Sequence, residues 1–246
     1  MARWIYGRHA VLERLGLEKP GLTQVVLAKG QNAKEAEEIV KAASRSGVRV
    51  EWRERRWLED RAGSNRHQGV VAAAEEFQYA ELADILETAG THATLVVLDG
   101  VEDPGNLGAI LRSAECAGAS GVLIPKDRAV QVTAVVEKAS AGAAGRVKVA
   151  SVTNINRVLE ELKKSGYWIY GLSGEAKESL YSVKFEGKVC LVLGGEGGGI
   201  RPLVRQNCDL LVSIPMSGKV SSLNVSVAAG VSLFEIQRQR FQKDKP

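Results

Sequence analysis

The stretch "LDGVEDPGNLGAILRSAECAGA", residues 98–119, decides the fold of the longer part of this chain. An apolar run ends in a turn rich in glycine, and the turn leads into a segment with helical periodicity. The apolar residues of this segment form one face and predict packing against a sheet: Leu107, Ile110, Leu111, Ala114 and Ala117. Packing explains neither Asn106, where the helix begins, nor Arg112, one step off the apolar face. Both are therefore candidates for function.

Apolar strands alternate with helices from residue 94 onward. Strands are predicted at TLVVLDG (94–100), GVLIPK (121–126), VKVASV (147–152), YWIYGLS (167–173), KVCLVLGGE (188–196) and LLVSIPM (210–216). Helices are predicted at 106–118, 133–145, 154–166, 200–208 and 223–241. This rhythm is typical of an α/β fold with a parallel sheet that helices cover on both faces.

The first part of the chain reads as a smaller α/β domain. Val-rich strands at 23–30, 48–54 and 67–76 flank a charged amphipathic helix at 33–47. The pattern weakens after residue 75, where only a short helix over 82–86 is predicted. We therefore expect a small domain over 1–75, a linker over 76–93 and a larger domain over 94–246.

Composition excludes several classes of protein. With 246 residues, 45% hydrophobic and 25% charged, the chain is typical of a globular protein, and no stretch approaches the roughly 20 apolar residues of a membrane helix. The first twenty residues lack a signal-peptide core, so we expect a cytoplasmic protein without membrane contact. Three separated cysteines, and histidines at no ligand spacing, predict neither a disulfide framework nor a metal site.

Three glycine-rich loops follow predicted strands, where ligands bind in parallel sheets. They are DGVEDPGNLG (99–108), GGEGGGIRP (194–202) and PMSGKVSSLN (215–224). Glycines allow backbone amides to approach a ligand, and each loop leads into a helix with unpaired N–H groups. The alternative is that the glycines only form turns and the polar residues only cap helices.

The glycine spacing argues against a nucleotide cofactor. In the second loop no G-x-G-x-x-G series is complete, because the sixth position falls on Ile200 or Pro202. The sequence G-x-x-x-x-G-K-[ST] is absent as well. A nicotinamide-dependent dehydrogenase is therefore the least favoured hypothesis.

Three motifs in order, DPGNLGAILRSAECAG (103–118), LVLGGEGGGI (191–200) and IPMSGKVSSLNVSVAAG (214–230), resemble those of the SpoU-type (TrmH-like) RNA ribose 2′-O-methyltransferases. The resemblance continues through YGRHAV (6–11) and HQGVVA (67–72), and so covers nearly the whole chain. Within the family it favours bacterial members that methylate a guanosine of 23S ribosomal RNA. A transfer RNA substrate, or an inactive RNA-binding ribosome-assembly factor, are the alternatives.

The resemblance implies a methyltransferase domain of the SPOUT class, with a deep trefoil knot whose loops bind S-adenosylmethionine. It also implies a homodimer and an N-terminal RNA-binding domain of the ribosomal-protein L30e type. The pattern alone predicts an ordinary, unknotted sheet, since chains rarely thread loops.

Matching the motifs residue by residue implies a site. The cofactor positions are Gly194, Gly195, Glu196, Ile214, Met216, Ser222 and Leu223. The catalytic positions are Asn106, Arg112, Glu196, Ser222 and Asn224. In the family, the arginine that Arg112 matches is proposed to help the 2′-hydroxyl lose its proton. Because arginine stays protonated, we expect Arg112 to grip a phosphate and stabilise the developing alkoxide, with the base role left open.

The basic residues of the chain are concentrated near its start. Residues 1–70 carry 14 Lys and Arg against 9 Asp and Glu, which suggests a polyanion contact. Our candidates for contact with ribosomal RNA are Arg53, Arg55, Arg56, Arg61, Arg66 and His67, interleaved with Trp52 and Trp57. The alternative is a charged helix face with both tryptophans held in the small core.

Overall fold

The structure, a computed structural model, describes residues 3–17, 20–219 and 222–243. The chain divides into two compact units. The first unit comprises the chain up to Gln78 together with Val132–Arg146. The second comprises Tyr79–Gln131 and the chain from Val147 onward.

The described elements follow the α/β rhythm of the sequence. The strands are β1 (Arg3–Tyr6), β2 (Leu22–Ala28), β3 (Arg49–Arg53), β4 (Val70–Ala74), β5 (Thr94–Asp99), β6 (Gly121–Pro125), β7 (Val149–Val152), β8 (Tyr167–Leu172), β9 (Glu178–Ser179), β10 (Lys188–Gly194) and β11 (Leu210–Ser213). The helices are α1 (Arg8–Leu15), α2 (Ala33–Arg45), α3 (Arg55–Ala62), α4 (Leu82–Glu87), α5 (Pro104–Cys116), α6 (Ala134–Ala139), α7 (Ile155–Lys164), α8 (Pro202–Gln206) and α9 (Val225–Lys243).

The first unit contains a mixed four-stranded sheet in the order β1-β4-β2-β3. Strand β4 is antiparallel to both β1 and β2, whereas β2 and β3 are parallel. Helix α2 buries Ala36, Ile39 and Ala43 against this sheet, as its periodicity predicts. It begins at Asn32, whose Oδ1 accepts a hydrogen bond from the Lys34 amide at 3.0 Å.

The second unit contains a seven-stranded sheet in the order β7-β6-β5-β10-β8-β11-β9, and every pairing is parallel. All six residues of β5 are buried, which is typical of a strand inside a parallel sheet. The predicted α/β class and parallel sheet are confirmed. In the β5–β10 pairing Gly194 lies opposite Asp99, so the loops that follow both strands leave the same edge of the sheet.

Two segments add detail to the predicted division into 1–75, 76–93 and 94–246, which stays a prediction. The short helix expected at 82–86 is present as α4, and its Ile85 is fully buried in the second unit's core. The expected helix at 133–145 is interrupted: α6 ends at Ala139, and a 3-10 turn follows at Ala143–Gly145. This segment belongs by its contacts to the first unit.

Helix α9 differs from its expected orientation. The sequence suggests a buried stripe of Leu223, Val227, Val231 and Phe234, assigned to the core or a dimer contact. Instead the small face of the helix is buried, including Ala228, Ala229 and Ser232. Small residues allow α9 to approach α5 closely, so the larger side chains point outward: Val227 is 50% and Phe234 48% exposed. The core assignment of that stripe is therefore wrong.

Candidate functional site

A cavity of about 480 Å³ opens in the second unit where β8, β10 and β11 end. All seven residues that the sequence suggests for a cofactor line it: Gly194, Gly195, Glu196, Ile214, Met216, Ser222 and Leu223. Their apolar side chains and backbone amides are the surface that an adenine ring and its polar edge require. The sequence missed Leu172, Ser173 and Gly174, which line the same cavity after β8. The rule that directed attention to the ends of three strands applies equally to that fourth strand.

Two glycines allow the second loop to fold against its neighbours. A Cβ atom at Gly194 would lie 1.9 Å from the carbonyl carbon of Gly199. A Cβ atom at Gly195 would lie 2.0 Å from the carbonyl oxygen of Gly100. No other residue type fits at either position without displacing backbone, so these glycines shape the cavity wall.

An ion pair that the sequence did not reveal fixes the far end of this loop. Asp99 ends β5 with a fully buried side chain, and its Oδ2 accepts a hydrogen bond from the Arg201 amide at 2.8 Å. Its Oδ1 accepts from Arg201 Nε at 2.7 Å and lies 2.6 Å from a terminal guanidinium nitrogen. A buried carboxylate needs such a partner, since an unpaired buried charge is strongly destabilising. The pair therefore holds the residues before Arg201 against the end of β5.

Three of the predicted catalytic side chains meet beside the cavity. Asn106 Nδ2 donates a hydrogen bond to Glu196 Oε1. Asn224 Nδ2 donates to Asn106 Oδ1 at 3.0 Å and lies 3.5 Å from Glu196 Oε1. The three residues come from three different loops, and we refer to them below as the amide–carboxylate cluster.

Helix capping and cluster formation occur together. Asn224 Oδ1 accepts hydrogen bonds from the amide and hydroxyl of Ser226, at 2.9 and 2.6 Å. Asp103 Oδ1 accepts from the amide of Asn106 at 2.7 Å and so caps α5. The capping alternative is therefore correct for Asn224, but it leaves the side-chain Nδ2 of this residue free to join the cluster.

The other two predicted catalytic residues lie apart from these hydrogen bonds. Ser222 is exposed and lines the cavity. Arg112 is exposed on α5, six residues beyond Asn106, and makes no hydrogen bond or ion pair with any residue in the described ranges. Its guanidinium is therefore free to bind a phosphate or an oxyanion.

The chemistry of the cavity comes from amides, a carboxylate and hydroxyl groups. Burial raises the pKa of the Cys208 thiol to about 12 and that of Cys190 well above its usual value, so both thiols stay protonated. Within the described part of the chain, no group of three or more His, Cys, Asp or Glu side chains is arranged to hold a metal ion. None of the described helices is long and apolar enough to cross a membrane.

The proposed RNA-contact residues of the first unit fall into several environments. The guanidinium carbons of Arg53 and Arg61 lie 6.0 and 4.9 Å from the centre of the Trp57 ring, which itself packs edge-on against Trp4. Arg55, Arg56 and Arg66 are exposed. Of the two tryptophans near these arginines, only Trp52 is exposed, at 45%. The structure therefore combines the two sequence interpretations, with one tryptophan packed inward and the other outside.

His67 does not lie on the surface with those arginines. Its side chain is fully buried, and its Nδ1 accepts a hydrogen bond from the Gly69 amide at 3.0 Å. Burial, followed by the positive charge of Arg55, lowers the pKa of the imidazole below its usual value. The neutral ring shapes the 67–69 turn, and a direct contact between its side chain and RNA is excluded by burial.

Family models match both units. A model described as the SpoU rRNA Methylase family matches residues 93–234, and one described as RNA 2′-O ribose methyltransferase substrate binding matches residues 4–80. The 23S rRNA (guanosine-2′-O-)-methyltransferase RlmB of Xanthomonas campestris pv. campestris is 48% identical over 241 residues, 97% of each chain. The protein of the same name from Yersinia pestis is 43% identical over 243 residues, 98% of each chain.

Solved structures share the fold. The SpoU methyltransferase AviRb from Streptomyces viridochromogenes, in complex with the cofactor AdoMet, superposes with a TM-score of 0.80. The match covers 97% of this chain and 90% of that chain at 23% identity. At this identity the likeness concerns the fold.

Proposed function

Because this chain belongs to the SpoU rRNA methylase family, we propose that it transfers a methyl group from S-adenosylmethionine to the ribose 2′-hydroxyl of a guanosine in 23S ribosomal RNA. The relatives that carry this activity in their names match almost the entire chain. One observation carries the proposal: the family's cofactor positions surround one cavity, directly beside the amide–carboxylate cluster.

The cavity fits the cofactor in size and in chemistry. Its volume lies within the range of about 300–1,000 Å³ that is usual for small-molecule sites. Ile214, Met216 and Leu223 offer apolar surface, while Gly194 and Gly195 leave backbone exposed where a Cβ atom would clash. When bound, S-adenosylmethionine supplies a sulfonium methyl group, an electrophile for a ribose oxygen.

The amide–carboxylate cluster positions groups around the ribose. Glu196 holds the Asn106 amide group by accepting its hydrogen bond, and Asn224 fixes the opposite side of the same amide. Asn106 is thus oriented by two loops at once, and Ser222 adds a hydroxyl at the cavity. Fixed orientation of the nucleophile is the largest contribution that such a site can make to rate.

We assign Arg112 to the RNA rather than to the cofactor. It remains charged at any pH at which the protein is folded, so it suits a phosphate next to the target ribose and the alkoxide that forms there. Its lack of partners in the described residues supports this role, because no carboxylate competes for the guanidinium.

We further propose that the C-terminal segment forms the deep trefoil knot of the SPOUT class. After β11 the chain reaches Glu196 through Asn224 and then packs α9 along α5. It thus passes both the loop after β10 and the loop after β5. This course is what a threaded chain end requires.

A homodimer accounts for the outward face of α9. Val227, Phe234 and Phe241 are 50%, 48% and 60% exposed and recur along one side of the helix. Apolar side chains aligned in this way usually mark a protein interface. Burial against a second copy would cover them near Asn224 and bring partner groups close to the site.

The first unit supplies the RNA contacts in this proposal, through the exposed arginines Arg53, Arg55, Arg56, Arg61 and Arg66. The division into 1–75, 76–93 and 94–246 then separates RNA binding from catalysis. We place the reaction in the cytoplasm, where ribosomal RNA is made and assembled in bacteria.

The proposal is tested with methyl-labelled S-adenosylmethionine and unmodified 23S ribosomal RNA and transfer RNA. Label in 23S RNA alone is the expected result. Label in transfer RNA alone would replace the proposed substrate. Cofactor binding without label in either RNA would favour an inactive assembly factor.

A further inference from the structure

A polar basin of about 450 Å³ lies at one end of the first unit. Strands β1 and β2 end there and the antiparallel strand β4 begins there, so three connections meet at one edge of the sheet. The side chains that matter below are Arg8, His9, Lys29, Asn32, Arg55 and Gln68. Only Arg55 among them belongs to the arginines discussed above.

The turn that carries Gln68 is held in an unusual conformation. Gln68 has a positive φ of 54°, which costs energy for any residue with a side chain. Its Oε1 accepts a hydrogen bond from the Arg8 amide at 2.9 Å, and its carbonyl accepts from Gln31 Nε2 at 3.4 Å. Beneath it, His67 Nδ1 accepts from the Gly69 amide. The strained turn is thus fixed by several contacts and presents the Gln68 side chain at the basin.

The basin offers hydrogen-bond donors. Gln68 Nε2 makes no hydrogen bond with any residue that the structure describes, because the printed contacts of this side chain use its oxygen. The Oδ1 atom of Asn32 is used in capping α2, which leaves its Nδ2 group as a donor. Arg8, Lys29 and Arg55 add three cationic groups. A ligand rich in acceptors, with a negative charge, matches this surface.

The carboxylates around the basin do not block it. Lys29 Nζ pairs with Glu54 at 2.8 Å, but the two side chains are 59% and 74% exposed. Arg55 Nε lies 3.6 Å from Glu59, again in an exposed pair. Such pairs contribute only about 0–1 kcal/mol, so a phosphate replaces the carboxylates at little cost. Arg8 is the exception, since it is half-buried and held by Glu38 and Glu35.

We propose that this basin binds one unpaired nucleotide of the RNA substrate, with its phosphate on Lys29 and Arg55 and the carbonyl edge of its base on Gln68 and Asn32. Proteins recognise RNA at such splayed-out nucleotides through phosphate contacts and hydrogen bonds to base edges. A paired base cannot enter, because its edge is already used and its helix is too wide. The inference rests on the proposed function for the identity of the RNA.

The test measures binding of single-stranded oligouridylate, and of an oligo(A)·oligo(U) duplex of the same length, to the full chain. The variant Lys29→Ala/Arg55→Ala should weaken binding of the single strand about tenfold and lower the salt slope by roughly 1.4, since each phosphate contact contributes about 0.7. Gln68→Gly, which suits a positive φ, should weaken binding without changing the salt slope.

The matched control is Lys41→Ala/Arg49→Ala, which removes the same charge from exposed positions of the same unit outside the basin. It should bind oligouridylate within twofold of the unmodified protein. Equal weakening by both double variants, or equal weakening of the single strand and the duplex, would overturn the proposal. Methylation of 23S RNA and cofactor binding are measured in parallel. A protein that binds oligouridylate through the basin but methylates no 23S RNA would refute the proposed function and leave this inference standing.

Discussion

Glu196 is the residue on which the orientation of the amide–carboxylate cluster depends. Its Oε1 accepts from Asn106 Nδ2 and faces Asn224 Nδ2, so replacing it by an amide places a donor where an acceptor is needed. We expect Glu196→Gln to lower turnover about tenfold, because a hydrogen bond to a charged group is worth about 1.5 kcal/mol or more. Cofactor affinity, measured by calorimetry, should change only a few-fold. Glu175→Gln, in an exposed pair with Arg205, is the control and should be active. Equal turnover of the two variants would contradict this role.

Arg112 gives a prediction of a different kind, since it has no structural partner in the described ranges. Arg112→Ala should abolish turnover, keep cofactor affinity within a few-fold and leave the melting temperature unchanged. Arg112→Lys should recover part of the activity, because it restores the charge without the two-pronged contact. An active Arg112→Ala enzyme would refute the assigned role.

His67 couples the stability of the first unit to pH. The imidazole is faced by Arg55 and Lys138, which lower its pKa, and by Glu59 at 3.9 Å, which raises it, while burial lowers it most. Above the unfolded value of 6.5 the ring is neutral in both states. Below 6.5 the unfolded chain takes up the proton first, so stability is lost as pH falls, by up to about 1.4 kcal/mol per unit between the two pKa values. Thermal melts from pH 7 to 5 should show the loss. His67→Asn should melt with a flatter profile, and identical profiles would exclude this explanation.

At the scale of elements, the second loop depends on two close backbone approaches. Gly195→Ala places a Cβ atom 2.0 Å from the Gly100 carbonyl oxygen and should shift the loop. At a strain of about 1–3 kcal/mol, we expect cofactor affinity to fall at least several-fold. Gly198→Ala is the matched control, because no atom lies within 4 Å of its Cβ position and its φ is not positive. Calorimetry should find the control unchanged; equal loss in both variants would show that mobility, not close approach, matters.

The sequence predicts long elements well and contacts between distant residues poorly. Continuous apolar runs such as β5 and β10 identify buried parallel strands, and α2 and α7 follow from helical periodicity. The elements β1, α1 and α3 were missed because each is short, and α3 fully buries only Leu58.

The same limit applies to the site. The three loops and the seven cavity residues follow from motifs that lie within local stretches of sequence. The pair of Asp99 with Arg201 spans 102 positions, and no local pattern links its members. The polar basin of the first unit is similarly assembled from four separate segments.

At the scale of the whole molecule, the exposed face of α9 predicts a dimer. Phe234→Glu combined with Val227→Glu should yield monomers in light scattering after size exclusion, because it places charges on the apolar face. Trp168→Glu changes another aromatic residue of the second unit, 53% exposed, and should leave the oligomeric state unchanged. A monomeric unmodified protein would contradict the prediction.

The measurement that most directly tests the central claim identifies the nucleotide that is methylated. A 2′-O-methyl group removes the nucleophile of alkaline cleavage, so 23S ribosomal RNA labelled by this protein should yield its label in alkali-resistant dinucleotides with 2′-O-methylguanosine as the first nucleoside. Label released in ordinary mononucleotides would place the methyl group on a base and contradict the account, as would 2′-O-methylation of a nucleoside other than guanosine.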